Sequence, residues 1–263
     1  KPHRKPPQKP HRKPKPSPLK LLINSHVKYQ KPLAFLLKSM VNASFDRWQD
    51  VMIVFGGSTA DIGPHKAVVG GVPVTIVNTT LNAYDYTALW AIWRYRNHHM
   101  AKADRYFYLL DSSSVGPYFS VRFKEWSERN GTDEVLVRPW GYNSNLCIFS
   151  RRLVSRFRAS FRLNFTKTEA VRLEIMDRYN ARGARPLIWW AVRTRGRIVY
   201  TPPRDFKGFT DVYGIGFSRM AHWYPNFDVS HYMLHGGFGD LQGGGVKPID
   251  MPPLTPQELA VPP

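Results

Sequence analysis

The stretch ADRYFYLLDSS, residues 103–113, decides the fold. Its centre, residues 106–110, is an unbroken aromatic and aliphatic run that leads into Asp111 and then into serines. A run without polar alternation is typical of a strand that is buried on both faces of a sheet. In α/β sheets, ligands bind beyond the carboxyl ends of such strands. We therefore predict a central strand over residues 106–110, with Asp111 at a ligand-binding edge.

Similar apolar runs occur on either side of this strand and alternate with segments in which apolar residues recur at helical spacing. The predicted additional strands are residues 51–55, 74–77, 135–137, 146–149 and 197–200. The predicted helices are residues 32–41, about 85–96, and 166–179. Alternating strands and helices predict the α/β class. We expect a single domain with a central, mostly parallel sheet, flanked by helices on both faces.

The overall composition excludes several classes of protein. The chain has 263 residues, of which 43% are hydrophobic, so the chain as a whole is not disordered. Its one cysteine, Cys147, excludes a disulfide framework and a zinc site built from several cysteines. No segment has the roughly 20 predominantly apolar residues of a membrane-spanning helix.

The net charge of +19 is concentrated near the start of the chain, where no acid precedes Asp46. We divide the chain into a basic Pro-rich arm (1–19), an α/β domain (20–247) and a Pro-rich tail (248–263). The arm repeats the sequence KPHRKP. Because proline has no amide donor, the arm is not expected to join a helix or a sheet ladder.

Residues 1–20 are rich in lysine and arginine, which bind polyanions by releasing condensed counterions. We therefore expect this segment to bind nucleic acid or an anionic surface. The alternative that the sequence leaves open is a solvated tail whose charge only keeps the protein soluble.

The element order resembles that of the GT-A glycosyltransferases, which use nucleoside diphosphate sugars. Residues 22–26 (LINSH), with the helix after Pro32, are similar to the family's nucleotide-holding first strand and loop. Residues 108–113 (YLLDSS) stand at the family's metal-binding DxD motif, and residues 143–152 (NSNLCIFSRR) look like its acceptor segment. The resemblance covers about residues 21–247.

The resemblance implies a fold, an activity and a site. It implies a GT-A-like fold and transfer of a sugar from a nucleoside diphosphate sugar to a hydroxyl group of a glycan or other acceptor. Mn²⁺ or Mg²⁺ is the implied cofactor. The implied metal ligands are Asp111 and His235, the implied donor-binding residues include Asn24 and His26, and the implied base is Glu169.

The chemistry itself adds further candidates. The leaving diphosphate needs cations, for which Arg204, Lys207 and Lys247 are available. An inverting transfer needs a carboxylate that takes the acceptor proton, and Asp205 and Asp211 stand behind Glu169 in this role. Glu169 has another interpretation, since Thr166 three residues earlier completes a helix capping box.

The important departure from the family is Ser113, which stands where the DxD motif has its second acid. One carboxylate holds a divalent ion less firmly than two, and Asp111 could instead begin a turn or cap a following helix. The alternative function is therefore a weakly active or inactive relative that serves as a basic-armed structural component of a virion or ribonucleoprotein. We expect a cytoplasmic or assembly-associated location, with the ER or Golgi lumen as the alternative.

Overall fold

The structure is a computed structural model. It describes residues 17–82, 87–129, 134–137, 146–151, 198–201, 204–205, 218–224 and 227–234. Within these residues, no helix is long and apolar enough to cross a membrane. The elements in chain order are β1 (Ser17–His26), α1 (Gln30–Asn42), a 3₁₀ turn (Trp48–Asp50), β2 (Val51–Gly56), β3 (Ile62–Val69), β4 (Val72–Asn78), α2 (Thr87–Arg94), β5 (Ala103–Leu110), β6 (Ser113–Val115), α3 (Phe119–Glu128), β7 (Glu134–Val137), β8 (Leu146–Ser150), β9 (Ile198–Thr201), β10 (Arg204–Asp205), β11 (Ser218–Tyr224) and β12 (Val229–Leu234).

The main sheet has eight strands in the order β3-β4-β2-β1-β5-β8-β7-β9. The four central strands, β4, β2, β1 and β5, form a group in which every pair of neighbours is parallel. Strands β3 and β8, which flank this group, pair antiparallel with β4 and β5. The α/β class and the central, mostly parallel sheet are therefore confirmed, as are the predicted strands over residues 51–55, 74–77 and 106–110.

Both faces of the sheet are covered, which explains the unbroken apolar runs. Leu21 and Ile23 of β1 belong to a core formed with helices α1 and α3. Leu22, which lies between them, belongs to a second core on the opposite face, formed with α2. Successive side chains of a strand point to opposite faces of the sheet. A strand that is covered on both faces therefore carries apolar residues at successive positions, without alternating polar ones.

Helix α1 follows from its local sequence. Its buried residues Leu33, Leu36, Leu37 and Met40 recur at helical spacing. Pro32 lies in the first turn, where a missing amide donor costs no intrahelical hydrogen bond. The predicted helix is confirmed and is slightly longer at both ends.

A second, four-stranded sheet with the order β10-β11-β12-β6 was not predicted. Strand β6 has only three residues, and its partner β12 follows more than a hundred residues later, with Val229 opposite Val115. Local periodicity cannot reveal such a pairing, because β6 is too short for a recognisable pattern.

The boundary of the arm also differs from the prediction. Strand β1 begins at Ser17, so the last three residues of the predicted arm, 17–19, belong to the main sheet. Pro18 is compatible with this position because the first residues of a strand tolerate a missing donor. Residues 1–16 and the predicted tail lie outside the described residues.

Lys20 of β1 is an unexpected charged residue in the interior, with 5% of its surface exposed. Burial lowers its pKa to about 8, partly offset by the negative charge of Asp50, while Lys66 lowers it further. Between about pH 8 and pH 10.5, the unfolded chain therefore holds a proton that the folded chain has lost. In this window the free energy of unfolding rises with pH.

We expect Lys20→Met to raise the free energy of unfolding at pH 7 by about 1–3 kcal/mol, because it replaces a buried cation with an apolar side chain of similar size. Asp50 keeps its bond from Arg47 Nε at 2.9 Å. The difference from the wild type should shrink by about pH 9.5, where Lys20 of the folded wild type is largely deprotonated, whereas ionisation of tyrosine in the unfolded state affects both proteins alike. Denaturant titration at pH 7 and at pH 9.5 measures this difference in the free energy of unfolding.

The control is Lys38→Met on the exposed face of α1, which should change stability by less than about 0.5 kcal/mol. A less stable Lys20→Met protein, or a gain that is the same at both pH values, would contradict the assignment of Lys20 as a buried destabilising charge.

Candidate functional site

The parallel strands β4, β2, β1 and β5 end at one edge of the main sheet, which we call the carboxyl edge. Several loops connect there through backbone hydrogen bonds. The amide of Val27 donates to the carbonyl of Gly56 at 3.1 Å, and the amide of Thr79 donates to the carbonyl of Phe55 at 2.9 Å. The chain segments that follow β1, β2 and β4 are therefore held together at the sheet edge.

Asp111 is fixed at this edge by the end of the neighbouring strand β1. Its amide donates to the carbonyl of Asn24 at 3.0 Å. Its carboxylate oxygen Oδ2 accepts a hydrogen bond from Ser25 Oγ at 2.8 Å. Both side chains are buried, with Asp111 7% exposed. The structure thus holds a carboxylate in a defined position at the carboxyl end of a central strand, where the sequence placed it.

The side chain of Asn24 positions a helix. Its Oδ1 accepts a hydrogen bond from the amide of Ala88 at 2.9 Å, in the first turn of α2. The first amides of a helix have no partner within the helix, so Asn24 satisfies one of them. Asn24 therefore joins the end of β1 to the start of α2, and this oxygen is already engaged within the protein.

His26 is the last residue of β1 and packs against two loops. Its Nδ1 accepts a hydrogen bond from the amide of Lys28 at 3.1 Å, and its ring centroid lies 5.2 Å from that of Tyr29. Nε2 faces Gly57, where an added Cβ would collide with the ring and where φ is +69°. Position 57 therefore accepts only glycine while His26 keeps this place.

The ionisation of His26 follows from its surroundings. Burial lowers the pKa of His26, and the positive charge of Lys28 lowers it further. The ring is therefore neutral near pH 7, with Nδ1 accepting and Nε2 carrying the proton. At the carboxyl edge, His26 offers a neutral donor.

The serines after Asp111 differ from the expected open turn. The turn consists of Asp111 and Ser112 alone, and strand β6 begins at Ser113. Ser112, Ser113 and Ser114 are all buried, at 7%, 1% and 6% exposure. Ser113, which the resemblance aligns with the second acid of a DxD motif, is thus the first residue of a strand paired with β12 and lies opposite His231. The space that the sequence suggested beyond Ser112 is filled by this pairing, and Asp111 does not cap α3, which begins at Phe119.

Among the residues that the structure describes, none of the remaining candidate residues lies beside Asp111. Asp205 lies in β10, opposite His222 of β11. Two strands separate β10 from β6, which corresponds to about 14 Å at normal strand spacing. Arg204 lies in the same strand. Five candidates lie outside the described residues: Glu169, Lys207, Asp211, His235 and Lys247. His235 directly follows the last residue of β12, Leu234.

The sequence did not reveal Ser25 or Asp228. Ser25 contacts Asp111 only because β1 and β5 pair in a register that sets Asn24 beside Leu110. Asp228, at φ 52°, accepts hydrogen bonds from the amides of Gly116 and Tyr118, each at 2.8 Å. The one signal for Asp228 was its residue type, since aspartate tolerates a positive φ better than most side chains.

The described residues contain no group of three or more histidine, cysteine, aspartate or glutamate side chains that could hold a metal ion. A divalent ion at Asp111 would therefore find fewer than three such ligands in this part of the chain. Mg²⁺ is commonly bound by one or two carboxylates together with substrate phosphates, so Asp111 fits an ion that arrives with a diphosphate.

Comparison with known proteins gives similarities at the level of structure. No family model matches the chain, and no curated protein matches it. One similar solved structure is the glycosyltransferase GlyE of Streptococcus pneumoniae TIGR4, with 10% identity and a TM-score of 0.35, over 70% of this chain and 44% of that chain. This chain thus spans less than half the length of GlyE.

Two other similar structures are also glycosyltransferases. The galactosyltransferase LgtC, in complex with donor and acceptor sugar analogs, has 10% identity and a TM-score of 0.36, over 69% of this chain and 73% of that chain. A glycosyltransferase involved in the glycosylation of the major capsid of PBCV-1 has 10% identity and a TM-score of 0.36, over 70% of this chain and 81% of that chain. The three structures named here are glycosyltransferases, and their similarity to this chain is weak.

Proposed function

We propose that the carboxyl edge binds the diphosphate of a nucleoside diphosphate sugar and that the protein transfers the sugar to a hydroxyl group. The observation that carries this proposal is the buried carboxylate of Asp111, fixed by Ser25 at the end of a central parallel strand. Burying a carboxylate costs free energy. At the carboxyl edge of the sheet, where ligands bind in such folds, a buried carboxylate has a functional explanation.

Each described residue of the edge has a part in this proposal. Asp111 would hold a divalent ion together with the donor's phosphate oxygens, and that ion would neutralise charge on the leaving diphosphate. His26 would donate from its neutral ring to the nucleotide, and Asn24 would act by positioning α2. His235 remains our candidate for a second metal ligand, because the chain reaches it directly after β12.

Most of the remaining roles belong to residues outside the described part of the chain. Glu169 is the proposed base for the acceptor hydroxyl, with Asp211 as its substitute. Lys207 and Lys247 are the proposed phosphate cations. Asp205 is the least favoured base, because β10 lies at the far side of the second sheet from β6.

The alternative function, a structural component of a large assembly, is supported by Ser113. This residue is buried in β6, so the position that the resemblance assigns to a second acid takes part in strand pairing. A protein that kept the strand and lost the acid would bind a metal-linked donor weakly or not at all.

A binding experiment separates the two functions. The full chain is heated with millimolar ADP, CDP, GDP or UDP, each with and without Mn²⁺. At 100 times its dissociation constant, a ligand stabilises the folded state by about 2.7 kcal/mol, so a bound nucleotide gives a clear rise in melting temperature. We expect one nucleotide to stabilise the protein, more strongly with Mn²⁺. No stabilisation by any of the four would refute the transferase proposal and favour the structural role.

A further inference from the structure

The edge of the main sheet opposite Asp111, which we call the amino edge, brings together three chain segments. Strand β1 begins there at Ser17, which pairs with Ala103 at the start of β5. Strand β8 ends there, with Ser150 opposite Arg105 of β5. Lys102 directly precedes β5 and Arg151 directly follows β8. The start of β1, Lys102 and Arg151 thus lie on three adjacent strands, each about 4.8 Å from the next.

The loop between α2 and β5 adds further basic and aromatic side chains. Arg96 donates to the carbonyl of Trp93 at 2.7 Å, and its guanidinium lies 5.4 Å from the centre of the Trp93 ring. Arg151 donates to Asn97 Oδ1 at 3.5 Å, which places the loop beside the end of β8. We call Arg96, His98, His99, Lys102 and Arg151 the basic patch.

The positive charge of the basic patch is only weakly compensated. Among the residues that the structure describes, neither Arg96, Lys102 nor Arg151 forms an ion pair with a carboxylate. Asp104 is the one acid among residues 94–105. The patch therefore keeps a net positive charge at the surface.

The N-terminal segment enters the sheet at the same place. Residues 1–16 contain seven lysines and arginines and no acid. Residue 16 is bonded to Ser17, which lies beside Ala103, so the segment joins the fold next to Lys102. A basic stretch of sequence is therefore attached to the fold at the edge that carries the basic patch.

We propose that the basic patch is a binding site for a nucleic acid strand, and that the lysines and arginines of residues 1–16, which join the fold at this edge, add affinity for the same strand. Phosphate groups recognised by lysine and arginine supply most of the affinity in such sites. The rings of His98 and His99 stack with centroids 4.6 Å apart, and His99 is exposed. Histidine rings are among the side chains on which unpaired bases stack.

A nucleic acid fits this edge better than a lipid surface does. The large apolar side chains that the described residues expose are Val41, Ile62, Val68, Tyr118 and Val121, and none of them belongs to the patch. Peripheral binding to a membrane generally combines basic residues with an apolar face that enters the lipid. The amino edge offers charge and stacking without such a face.

The test measures binding of the full chain to a labelled single-stranded RNA of about 20 nucleotides over a range of salt concentrations. For single strands, each neutralised phosphate contributes about 0.7 to the slope of log affinity against log salt. The double variant Lys102→Gln with Arg151→Gln should therefore lower the slope by about 1.4. Deleting residues 1–16, which leaves β1 intact, should lower it by up to about 5.

The matched control is Lys38→Gln with Lys124→Gln, which removes the same charge from exposed positions of α1 and α3. The control should bind RNA as the wild type does. An equal loss in the control would show that only the net charge matters and would overturn the proposal. Binding to vesicles of anionic phospholipid that is as tight as RNA binding at the same salt concentration would also overturn it. Since the patch lies opposite Asp111, neither result depends on whether a nucleotide sugar binds.

Discussion

Asp111→Asn is expected to lower the Mn²⁺-dependent affinity for a nucleoside diphosphate by about 10–100-fold, or to below detection. Asparagine keeps the shape of the side chain and an oxygen that can accept the hydrogen bond from Ser25 Oγ. It removes the negative charge, which is what a divalent ion requires. The fold should therefore persist while the metal-linked donor is lost.

The stability of Asp111→Asn is the second measurement in this experiment. We expect the free energy of unfolding to change by less than about 1 kcal/mol, since the hydrogen bond with Ser25 is neutral on the donor side and can be kept. Calorimetric titration with the nucleotide and Mn²⁺ measures the affinity, and denaturant unfolding measures the stability.

The matched control is Asp104→Asn. It makes the same substitution at an exposed position near the start of the same strand, at the opposite edge of the sheet. Its nucleotide affinity should equal that of the wild type. If Asp111→Asn also binds nucleotide with unchanged dependence on Mn²⁺, then Asp111 only shapes the turn and the proposed metal role is wrong.

Arg105→Met is expected to lower the free energy of unfolding by about 2–4 kcal/mol. The guanidinium Nη2 donates to the carbonyls of Trp126 at 2.6 Å and Arg129 at 2.9 Å, with Ser127 at 3.5 Å. These carbonyls lie at the end of α3, where a helix has no partners for its last carbonyl groups. Arg105 is 5% exposed, so water cannot easily replace the lost donor.

A graded series tests the explanation. Arg105→Lys keeps the charge but not the planar, forked donor, so its loss should be smaller than that of Arg105→Met. Lys124→Met, on the exposed side of the same helix, should stay within about 0.5 kcal/mol of the wild type. Denaturant titration at one pH compares all three. A loss below 1 kcal/mol for Arg105→Met would show that the end of α3 does not depend on this guanidinium.

The strands that the sequence predicted share one property. Residues 51–55 and 106–110 are apolar without interruption because both faces of their strands are covered. Hydrophobicity alone therefore located β2 and β5 to within a few residues. It also located Asp111, because the first polar residue after such a run marks the end of the strand.

The elements that the sequence missed have mixed surfaces. Strand β3 alternates between buried and exposed positions at the border of the sheet, so it contains no apolar run. The Gly70-Gly71 pair that joins β3 to β4 adopts positive φ, and it is a turn signal that we did not use. Helix α3 buries Arg122 and Ser127 among its aromatic residues, which obscures its helical pattern.

The sequence by itself determined the α/β class, the central strands, the position of Asp111 and the concentration of charge in residues 1–16. Each of these follows from neighbouring residues, because periodicity, burial and charge are local properties of the chain. The candidate residues outside the described part of the chain stay predictions.

Only the tertiary structure decided which distant groups meet. Ser25 and Asp111 are 86 positions apart in sequence, and Arg105 reaches carbonyl groups 21 to 24 positions away. The pairing of β6 with β12 and the meeting of Ser17 with Ala103 are equally non-local. The physical reason is that the register between two strands depends on the packing of entire sheet faces and on the geometry of the loops that connect the strands. A shift of one residue would leave every local pattern unchanged, yet it would turn each side chain to the opposite face.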